Sequence, residues 1–424
     1  MKKTFSLKMG LNPISRIGGQ IMTAFLLFFL PTKSIYAQSS ATQIRKLPEF
    51  TFKNGIGIIA PDSQFSLNMR FRFQSRFMMF SQSTSDLSPN SWEARVRRAR
   101  LSFTGHLYNP KLTYYLQLSF SRGDMDWSMA DASTINTSPN VVRDAVIYYK
   151  PNKTLQLGFG QTKLPGNRQR VISSGAQQFY DRSVVNAALT LDRDFGGFAN
   201  YSVQTGKVKT IFKGAITSGE GRNSVTSNSG LAYTGRLEIL PLGEFTDGGD
   251  YFEGDLIHEA KPKLSIAAGY QLNDLAMRTQ GQLGKDLYAP KTYQEFVADA
   301  LLKYKGWAAS YEYLDRTSDV SPISTNSTGS KRALLLGKGY NVQLSYCTKS
   351  QWEVAGRYTF LQPNNLVYSY YNSIEQYGGG VTKYLVKHKV KAQFNIFYNK
   401  EKNLSTQKTG IENIFGVLQF EVGI

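Results

Sequence analysis

Apolar and polar residues alternate one by one along much of this chain. The clearest stretch places Phe65, Leu67, Met69, Phe71, Phe73 and Phe77 between polar neighbours. A strand turns alternate residues to opposite faces, whereas a helix would scatter both sets around its axis. The same alternation returns at residues 99–103, 112–120, 155–159, 264–270, 307–313, 352–358, 390–398 and 416–424. The chain is therefore predicted to consist of strands with one apolar and one polar face.

The connections between these segments alternate between short and long. Residues 109–110 and 151–152 form short connections, and residues 81–91, 122–140, 273–293 and 316–338 form long ones. In lipid, only helices and closed barrels satisfy every backbone polar group, and beyond residue 37 no segment approaches the ~18 apolar residues of a spanning helix. The pattern predicts an all-β fold, a transmembrane antiparallel β-barrel. Allowing about 23 residues for each strand and its connection gives about 16 strands.

A soluble secreted β-sandwich or lectin-like protein is the alternative, because its strands also alternate. Two features disfavour it. The chain has a single Cys, so no disulfide can hold a small sandwich together. Its polar faces are also unusually basic where a solvated sheet would mix signs, as at Arg70, Arg72, Arg98 and Arg100.

The first 37 residues are typical of an export signal. They carry five Lys or Arg and no acid, and their apolar run at residues 21–30 is too short to cross ~30 Å of hydrocarbon. We predict a signal peptide at residues 1–37, cut after Ala37, and a single barrel domain at residues 38–424 in the outer membrane of a Gram-negative-type bacterium. An uncleaved signal anchor is the alternative. Export argues against a nucleic-acid partner, although the formal charge is +19.

The Cys and His content excludes several chemistries. One Cys and the scattered His106, His258 and His388 cannot form a Cys/His metal cluster or a Cys–His dyad with normal local spacing. A barrel enzyme such as an outer-membrane lipase or protease would need Ser/His or Asp/His groups that converge. We therefore predict no enzymatic activity, no cofactor and no metal site.

The polar faces predict what such a barrel conducts. If the apolar side chains face lipid, the polar ones line the lumen. The predicted pore residues are then mostly basic, with some acids such as Asp144, Glu238 and Glu312 among them. The basic ones are Arg70, Arg72, Arg76, Arg98, Arg100, Arg236, Arg357, Lys389 and Lys391. Confined cations concentrate anions and replace part of their hydration shell, so we predict a passive channel for small anions. Two alternatives stay open: each arginine pairs with an acid across the barrel, or the protein is a general or carboxylate-accepting porin with a weak anion preference.

One long connection is predicted to narrow this pore. Residues 164–183 are rich in polar and small residues, and Pro165 and Gly166 interrupt the strand. Folded inward, the segment would place four cations at the narrowest passage: Lys163, Arg168, Arg170 and Arg182. An exposed extracellular loop is the alternative.

In the second long strand, the alternation of apolar and polar residues shifts by one position between Val96 and Ala99. This shift predicts a β-bulge and leaves open which of Arg97 and Arg98 points inward.

Six short motifs occur in a fixed order along the chain. They lie at residues 97–103, 143–145, 160–165, 180–183, 193–196 and 251–256. In this order they resemble the phosphate-selective porin O and P family over most of the chain after residue 37. After its Lys-x-Pro, that family usually continues with Phe and an acidic turn, whereas this chain has residues 166–170, Gly-Asn-Arg-Gln-Arg, in their place.

The resemblance implies a 16-stranded outer-membrane barrel that assembles as a homotrimer and selects phosphate or related oxyanions. It also implies an inward-folded loop with a basic, phosphate-selecting site. On the matching positions, the paired arginines are Arg97 and Arg98, the constriction lysine is Lys163, and the loop arginine is Arg182. Asp144 matches the acid that follows the third strand.

Overall fold

The structure is a computed structural model that describes residues 47–52, 54–121, 141–224 and 228–424. The predicted signal peptide at residues 1–37 and the predicted long connection at residues 122–140 lie outside the described residues. No described helix has the length and apolar character needed to cross a membrane.

Sixteen strands of the described chain form a closed antiparallel β-barrel, which confirms the predicted fold class. The strands, in chain order, are β1 (Glu49–Thr51), β2 (Ile56–Ile59), β3 (Ser66–Ser81), β4 (Ser91–Leu107), β5 (Asn109–Ser119), β6 (Val142–Tyr149), β7 (Leu155–Lys163), β8 (Arg193–Thr205), β9 (Val208–Thr217), β10 (Ala232–Leu240), β11 (Lys263–Arg278), β12 (Asp286–Tyr304), β13 (Trp307–Thr317), β14 (Ile323–Thr325), β15 (Lys331–Ala333), β16 (Gly337–Cys347), β17 (Trp352–Pro363), β18 (Ser373–Val386), β19 (Val390–Asn403) and β20 (Lys408–Gly423). The barrel closes where β20 pairs with β3. Strands β1 and β2 extend the sheet beside β3, and β14 and β15 form a separate hairpin.

The barrel presents apolar side chains outward and polar side chains inward. On β3, Phe73 and Phe77 are 48% and 43% exposed, whereas Gln74 and Arg76 between them are buried. The same alternation on the other strands leaves Phe159, Phe195, Tyr270, Phe394 and Phe420 exposed. This is the arrangement expected of strands that face lipid on one side and a polar lumen on the other.

A β-bulge interrupts the pairing of β3 with β4 at the predicted place. The register passes from Gln74 opposite Arg98 to Ser75 opposite Val96, so Arg97 is the extra residue. A bulge breaks the strict alternation of faces, which allows two successive side chains to approach the same partner. A second shift, between β5 and β6, leaves Arg143 as an extra residue beside Asp144.

Residues 164–192, which we call the first inner segment, join β7 to β8 and contain the short helices α1 (Arg168–Val171) and α2 (Val184–Leu189). Polar groups of this segment contact inward-facing side chains on widely separated strands. Gln178 Nε2 donates to Ser345 Oγ of β16 at 2.7 Å, and the backbone N–H of Tyr180 donates to Asn395 Oδ1 of β19 at 2.9 Å. These contacts place the segment inside the barrel.

Residues 241–262, the second inner segment, join β10 to β11 and include a 3₁₀ helix at Thr246–Tyr251. The backbone N–H of Glu253 donates to the carbonyl of Ala176 in the first inner segment at 2.8 Å. Lys303 Nζ of β12 donates to the carbonyl of Gly249 at 2.7 Å. The two inner segments therefore meet in the lumen beside β12. The motif at residues 251–256 lies in this second inner segment, but its entry into the lumen was not predicted from the sequence.

Gly378 of β18 lies beside the ring of Phe397, on which the first inner segment packs. Phe179 of the segment packs on Phe397 of β19, and a Cβ added at Gly378 would overlap the Phe397 ring. Because overpacking costs about 1–3 kcal/mol, Gly378→Ala should lower the free energy of unfolding by that amount. Gly379→Ala is the matched control, since no atom lies within 4 Å of its added Cβ. Urea unfolding in detergent measures both, and equal effects of the two substitutions would contradict this packing.

Candidate functional site

One carboxylate of the first inner segment receives three arginines from the barrel wall. Arg98 Nη2 lies 2.9 Å from Asp181 Oδ1, and Arg97 Nη2 and Arg76 Nη2 lie 3.1 Å and 3.6 Å from Asp181 Oδ2. The bulge at Arg97 explains how two consecutive residues reach one acid. Although burial opposes ionisation, the three guanidinium groups hold the pKa of the Asp181 carboxyl well below its usual range. Asp181 therefore anchors the segment as an ionised carboxylate.

Arg168 provides a second anchor on the opposite wall. Its Nε lies 3.1 Å from Asp299 Oδ1 of β12, its Nη1 donates to the carbonyl of Asp250 at 3.1 Å, and its Nη2 donates to Ser265 Oγ of β11 at 2.6 Å. Arg236 of β10 shares the same acid, with its Nη1 at 2.6 Å from Asp299 Oδ2. Arg168 thus ties both inner segments to the wall, and its charge is paired.

Between the first inner segment and the wall from β4 to β9 lies a cavity of about 300 Å³. Its lining includes Tyr115, Tyr148, Ser173, Ser174 and Asn200, which add hydroxyl and amide groups. The described lining carries six cationic side chains and one acid: Arg100, Arg143, Lys163, Arg182, Arg193, Lys213 and Asp144.

Two of the cavity cations hydrogen-bond to neutral groups. Lys163 Nζ donates to the carbonyls of Val171 and Ile172 at 2.9 Å and 3.3 Å. Arg182 Nε donates to the carbonyl of Gln169 at 2.6 Å, and its Nη2 donates to that of Ile172 at 2.9 Å. Carbonyl dipoles orient a cation without cancelling its charge, so these two side chains keep a positive potential in the cavity.

Other cavity cations are neutralised by neighbouring acids. Arg193 Nη2 donates to Asp144 Oδ2 at 3.0 Å, and Lys213 Nζ lies 2.9 Å from Glu238 Oε1. The cavity is therefore less positive than its residue count suggests. Asp144 is the acid that the family resemblance assigned after the third strand, and its partner in the fold is Arg193.

The surroundings of Arg182 disfavour its positive charge. Burial, and after it the guanidinium of Arg98, lowers the pKa of Arg182 to about 9. A shift in this direction means that the surroundings disfavour the charged form. An anion that enters the cavity would relieve part of this cost, which makes the site suited to a negatively charged solute.

The structure separates the predicted pore residues into two groups. Lys163, Arg100 and Arg182 line the cavity, and Arg100 Nη1 donates to Ser174 Oγ at 3.0 Å. The others lie outside its described lining and mainly hold the first inner segment. They are Arg76, Arg97 and Arg98 at Asp181, Arg168 at Asp299, Arg170 in an ion pair with Asp192, and Arg72, whose Nη2 donates to Ser174 Oγ at 2.7 Å. Arg70 lies on the same face of β3 and is exposed.

Sequence reasoning missed Arg143, Arg193 and Lys213 as lining residues. Arg143 and Arg193 lie in motifs that were used only for the family resemblance, so those motifs contained the signal that could have identified them. Lys213 lies at an inward-facing position of β9, but it belongs to none of the six motifs. Within the described ranges, no three His, Cys, Asp or Glu side chains are grouped as a metal site.

A family model described as phosphate-selective porin O and P matches residues 67–417 of this chain. Among solved structures, the chain is similar to the outer membrane channel DcaP of Acinetobacter baumannii at 11% identity, with 87% of this chain and 99% of that chain covered and a TM-score of 0.51. OmpF of Salmonella typhi, in complex with daunomycin, is similar at 14% identity, with 85% and 98% covered and a TM-score of 0.53. OprB of Pseudomonas putida is similar at 9% identity, with 84% and 94% covered and a TM-score of 0.53. No curated protein sequence matches the chain.

Proposed function

Because the chain belongs to the phosphate-selective porin O and P family, we propose that this outer-membrane channel conducts small anions, phosphate or related oxyanions first among them. Transport is passive diffusion along the cavity between the first inner segment and the wall from β4 to β9. The family and the fold are those of a channel rather than a catalyst. The proposal assigns no cofactor to the conduction path.

The observation that carries the proposal is the way in which Lys163 and Arg182 are held. Backbone carbonyls fix both cations, so their charges stay available to a passing anion. A guanidinium also presents donors in the fork geometry that matches phosphate. Several cations of moderate strength conduct better than one tight site, because the anion must also leave.

The arginines outside the cavity lining have a supporting role in this proposal. Arg76, Arg97, Arg98 and Arg168 keep the first inner segment in place, which sets the width of the path. Arg100, Arg143 and Arg193 join Lys163 and Arg182 along the path itself. Arg70 and Arg72 lie nearer the short-turn end of β3 and extend the basic wall toward that mouth.

The wild-type channel in a planar lipid bilayer tests the proposal. In a KCl gradient, the zero-current potential should have the sign of a chloride-permeable pore, because cations in a confined path exclude potassium. Added phosphate should reduce the chloride current in a saturable manner, since a phosphate that dwells at Lys163 and Arg182 blocks the smaller ion. Chloride selectivity without phosphate block would favour the alternative, a general or carboxylate-accepting porin with a weak anion preference. A cation-selective pore would contradict both.

The family and the barrel fold support a location in the outer membrane. We propose that residues 1–37 are a signal peptide cut after Ala37, which the mass of the mature protein measures directly. We also propose a homotrimer, as the family resemblance implies. Light scattering on the detergent-solubilised protein determines the number of copies.

A further inference from the structure

Three lysines and four aromatic side chains form a band around one sector of the outer wall, where the short turns lie. We call it the lysine–aromatic band, and it consists of Lys305, Lys349, Lys383, Tyr304, Trp307, Tyr346 and Trp352. We propose that this band binds the headgroup of an anionic phospholipid in the leaflet on the short-turn side. This inference concerns the lipid-facing wall and is independent of what the channel conducts.

Strand pairing places the aromatic members at one level. Tyr304 pairs with Trp307, and Trp307 pairs with Tyr346 on the next strand. The rings of Trp307 and Tyr346 are in contact, with their centroids 4.9 Å apart. Trp307 and Trp352 are 52% and 48% exposed, so both indoles face outward. Trp and Tyr favour the depth of lipid headgroups, where the ring is apolar and its N–H or O–H meets water.

The lysines converge on two adjacent turns at that level. The backbone N–H of Cys347 donates to the carbonyl of Gly306 at 2.9 Å, which joins the 305–306 turn to the start of the 348–351 turn. Lys383 Nζ donates to the carbonyl of Ser350 at 2.7 Å, so its ammonium reaches the turn that contains the exposed Lys349. The three lysines thus lie on neighbouring strand ends.

Two of the lysines also stack on the aromatic rings. Lys305 Nζ lies 5.0 Å from the centroid of Tyr304, and Lys383 Nζ lies 5.1 Å from that of Trp352. These contacts hold the ammonium groups at the outer face rather than toward the pore mouth.

Charge complementarity identifies the occupant. Residues 302–309, 344–352 and 379–389, which build this sector, contain no Asp or Glu. The second inner segment brings two acids to these turns: the buried Asp255, which accepts from the backbone N–H of Gly306, and Asp247, which pairs with Lys387. An anionic phosphate can therefore approach the three lysines from the outer face, and acyl chains would lie on the exposed Leu302, Leu344 and Val354 on the same side of the wall. Clusters of lysine beside a membrane-spanning surface attract anionic lipid in this way.

Native mass spectrometry of the full, detergent-solubilised protein tests the proposal. The probes are phosphatidylglycerol and phosphatidylcholine with identical acyl chains. We expect tighter binding of phosphatidylglycerol, weakened by about fivefold for each lysine removed and so by about a hundredfold in the Lys305→Gln, Lys349→Gln, Lys383→Gln variant. Binding of phosphatidylcholine should not change. The corresponding triple Lys→Arg variant should bind phosphatidylglycerol like the wild type.

The matched control removes the same charge from the long loops at the opposite end, through Lys285→Gln, Lys331→Gln and Lys408→Gln. An equal loss of phosphatidylglycerol binding in this control, or no loss in the band variant, would overturn the proposal. Displacement of the lipid by an equal concentration of inorganic phosphate would also overturn it, since the band would then be a site for soluble anions. If the triple variant fails to fold, phosphatidylglycerol binding is measured with Lys349→Gln alone, because this substitution changes only an exposed turn. Chloride conductance should be unchanged in every band variant, which separates this result from the test of the proposed function.

Discussion

A channel that carries both Lys163→Gln and Arg182→Gln should lose most of its block by phosphate and much of its preference for anions. The two side chains place charges in the cavity that backbone carbonyls orient but do not cancel. A hydrogen bond to a charged group contributes about 1.5–3 kcal/mol, so we expect the phosphate concentration for half block to rise by at least about tenfold. Single-channel recording in chloride with added phosphate measures this rise.

Glutamine keeps a donor at both positions, so the first inner segment can retain hydrogen bonds to its own carbonyls. The control is Lys285→Gln with Lys331→Gln, which removes the same charge from exposed loop positions. An equal change of phosphate block in the control would mean that net charge, rather than these two positions, sets the selectivity. Unchanged block in the cavity variant would remove Lys163 and Arg182 from the proposed path.

Asp181→Asn should destabilise the barrel by about 3 kcal/mol. The substitution removes the carboxylate from Arg76, Arg97 and Arg98, of which Arg76 and Arg98 are almost fully buried. Losing one partner of a buried ion pair leaves an uncompensated charge, which costs about 3–5 kcal/mol, and Asn recovers part of this as a neutral acceptor. Urea unfolding in detergent gives the free energy, and limited proteolysis within residues 164–192 reports whether the segment has been released.

The pH dependence follows from the lowered pKa of Asp181. The folded pKa lies below the unfolded value of about 3.9, so the contribution of this anchor is complete above about pH 4 and is lost as the pH falls through the folded pKa. The difference between wild type and Asp181→Asn should therefore be constant from about pH 5 to 8. Glu244→Gln, which breaks the exposed ion pair with Lys209, is the control and should cost less than about 1 kcal/mol. A similar cost for the two substitutions would show that Asp181 is not an anchor.

Local periodicity explains how much of the fold could be predicted. Alternation with a period of two is a property of neighbouring residues, so the apolar face of β3 and the inward parity of Arg72 and Arg76 follow from the sequence alone. The bulge near Arg97 was also predictable, because an extra residue shifts the parity of every residue after it. The strand number followed from the chain length and the repeat of strand and turn.

The site was predicted less completely, since parity assigns a face but no partner. Lys163 and Arg182 were predicted at the passage and do line the cavity. Arg168 was predicted there as well, but its carboxylate partner, Asp299, lies 131 residues away on β12. No local pattern indicates that pairing, nor that the second inner segment would enter the lumen from the short-turn end and meet the first.

The sequence by itself determined that this protein is a barrel, which side chains face inward, and that the inward face is basic, because each of these depends on spacing along one strand. The tertiary structure alone decided which arginines hold the first inner segment and which cations remain available in the cavity. The physical reason is that a cation buried beside a carboxylate is neutralised, whereas one held by backbone carbonyls is not. That difference depends on acceptors supplied by distant parts of the chain, such as Asp181 for Arg97 and the carbonyl of Gln169 for Arg182.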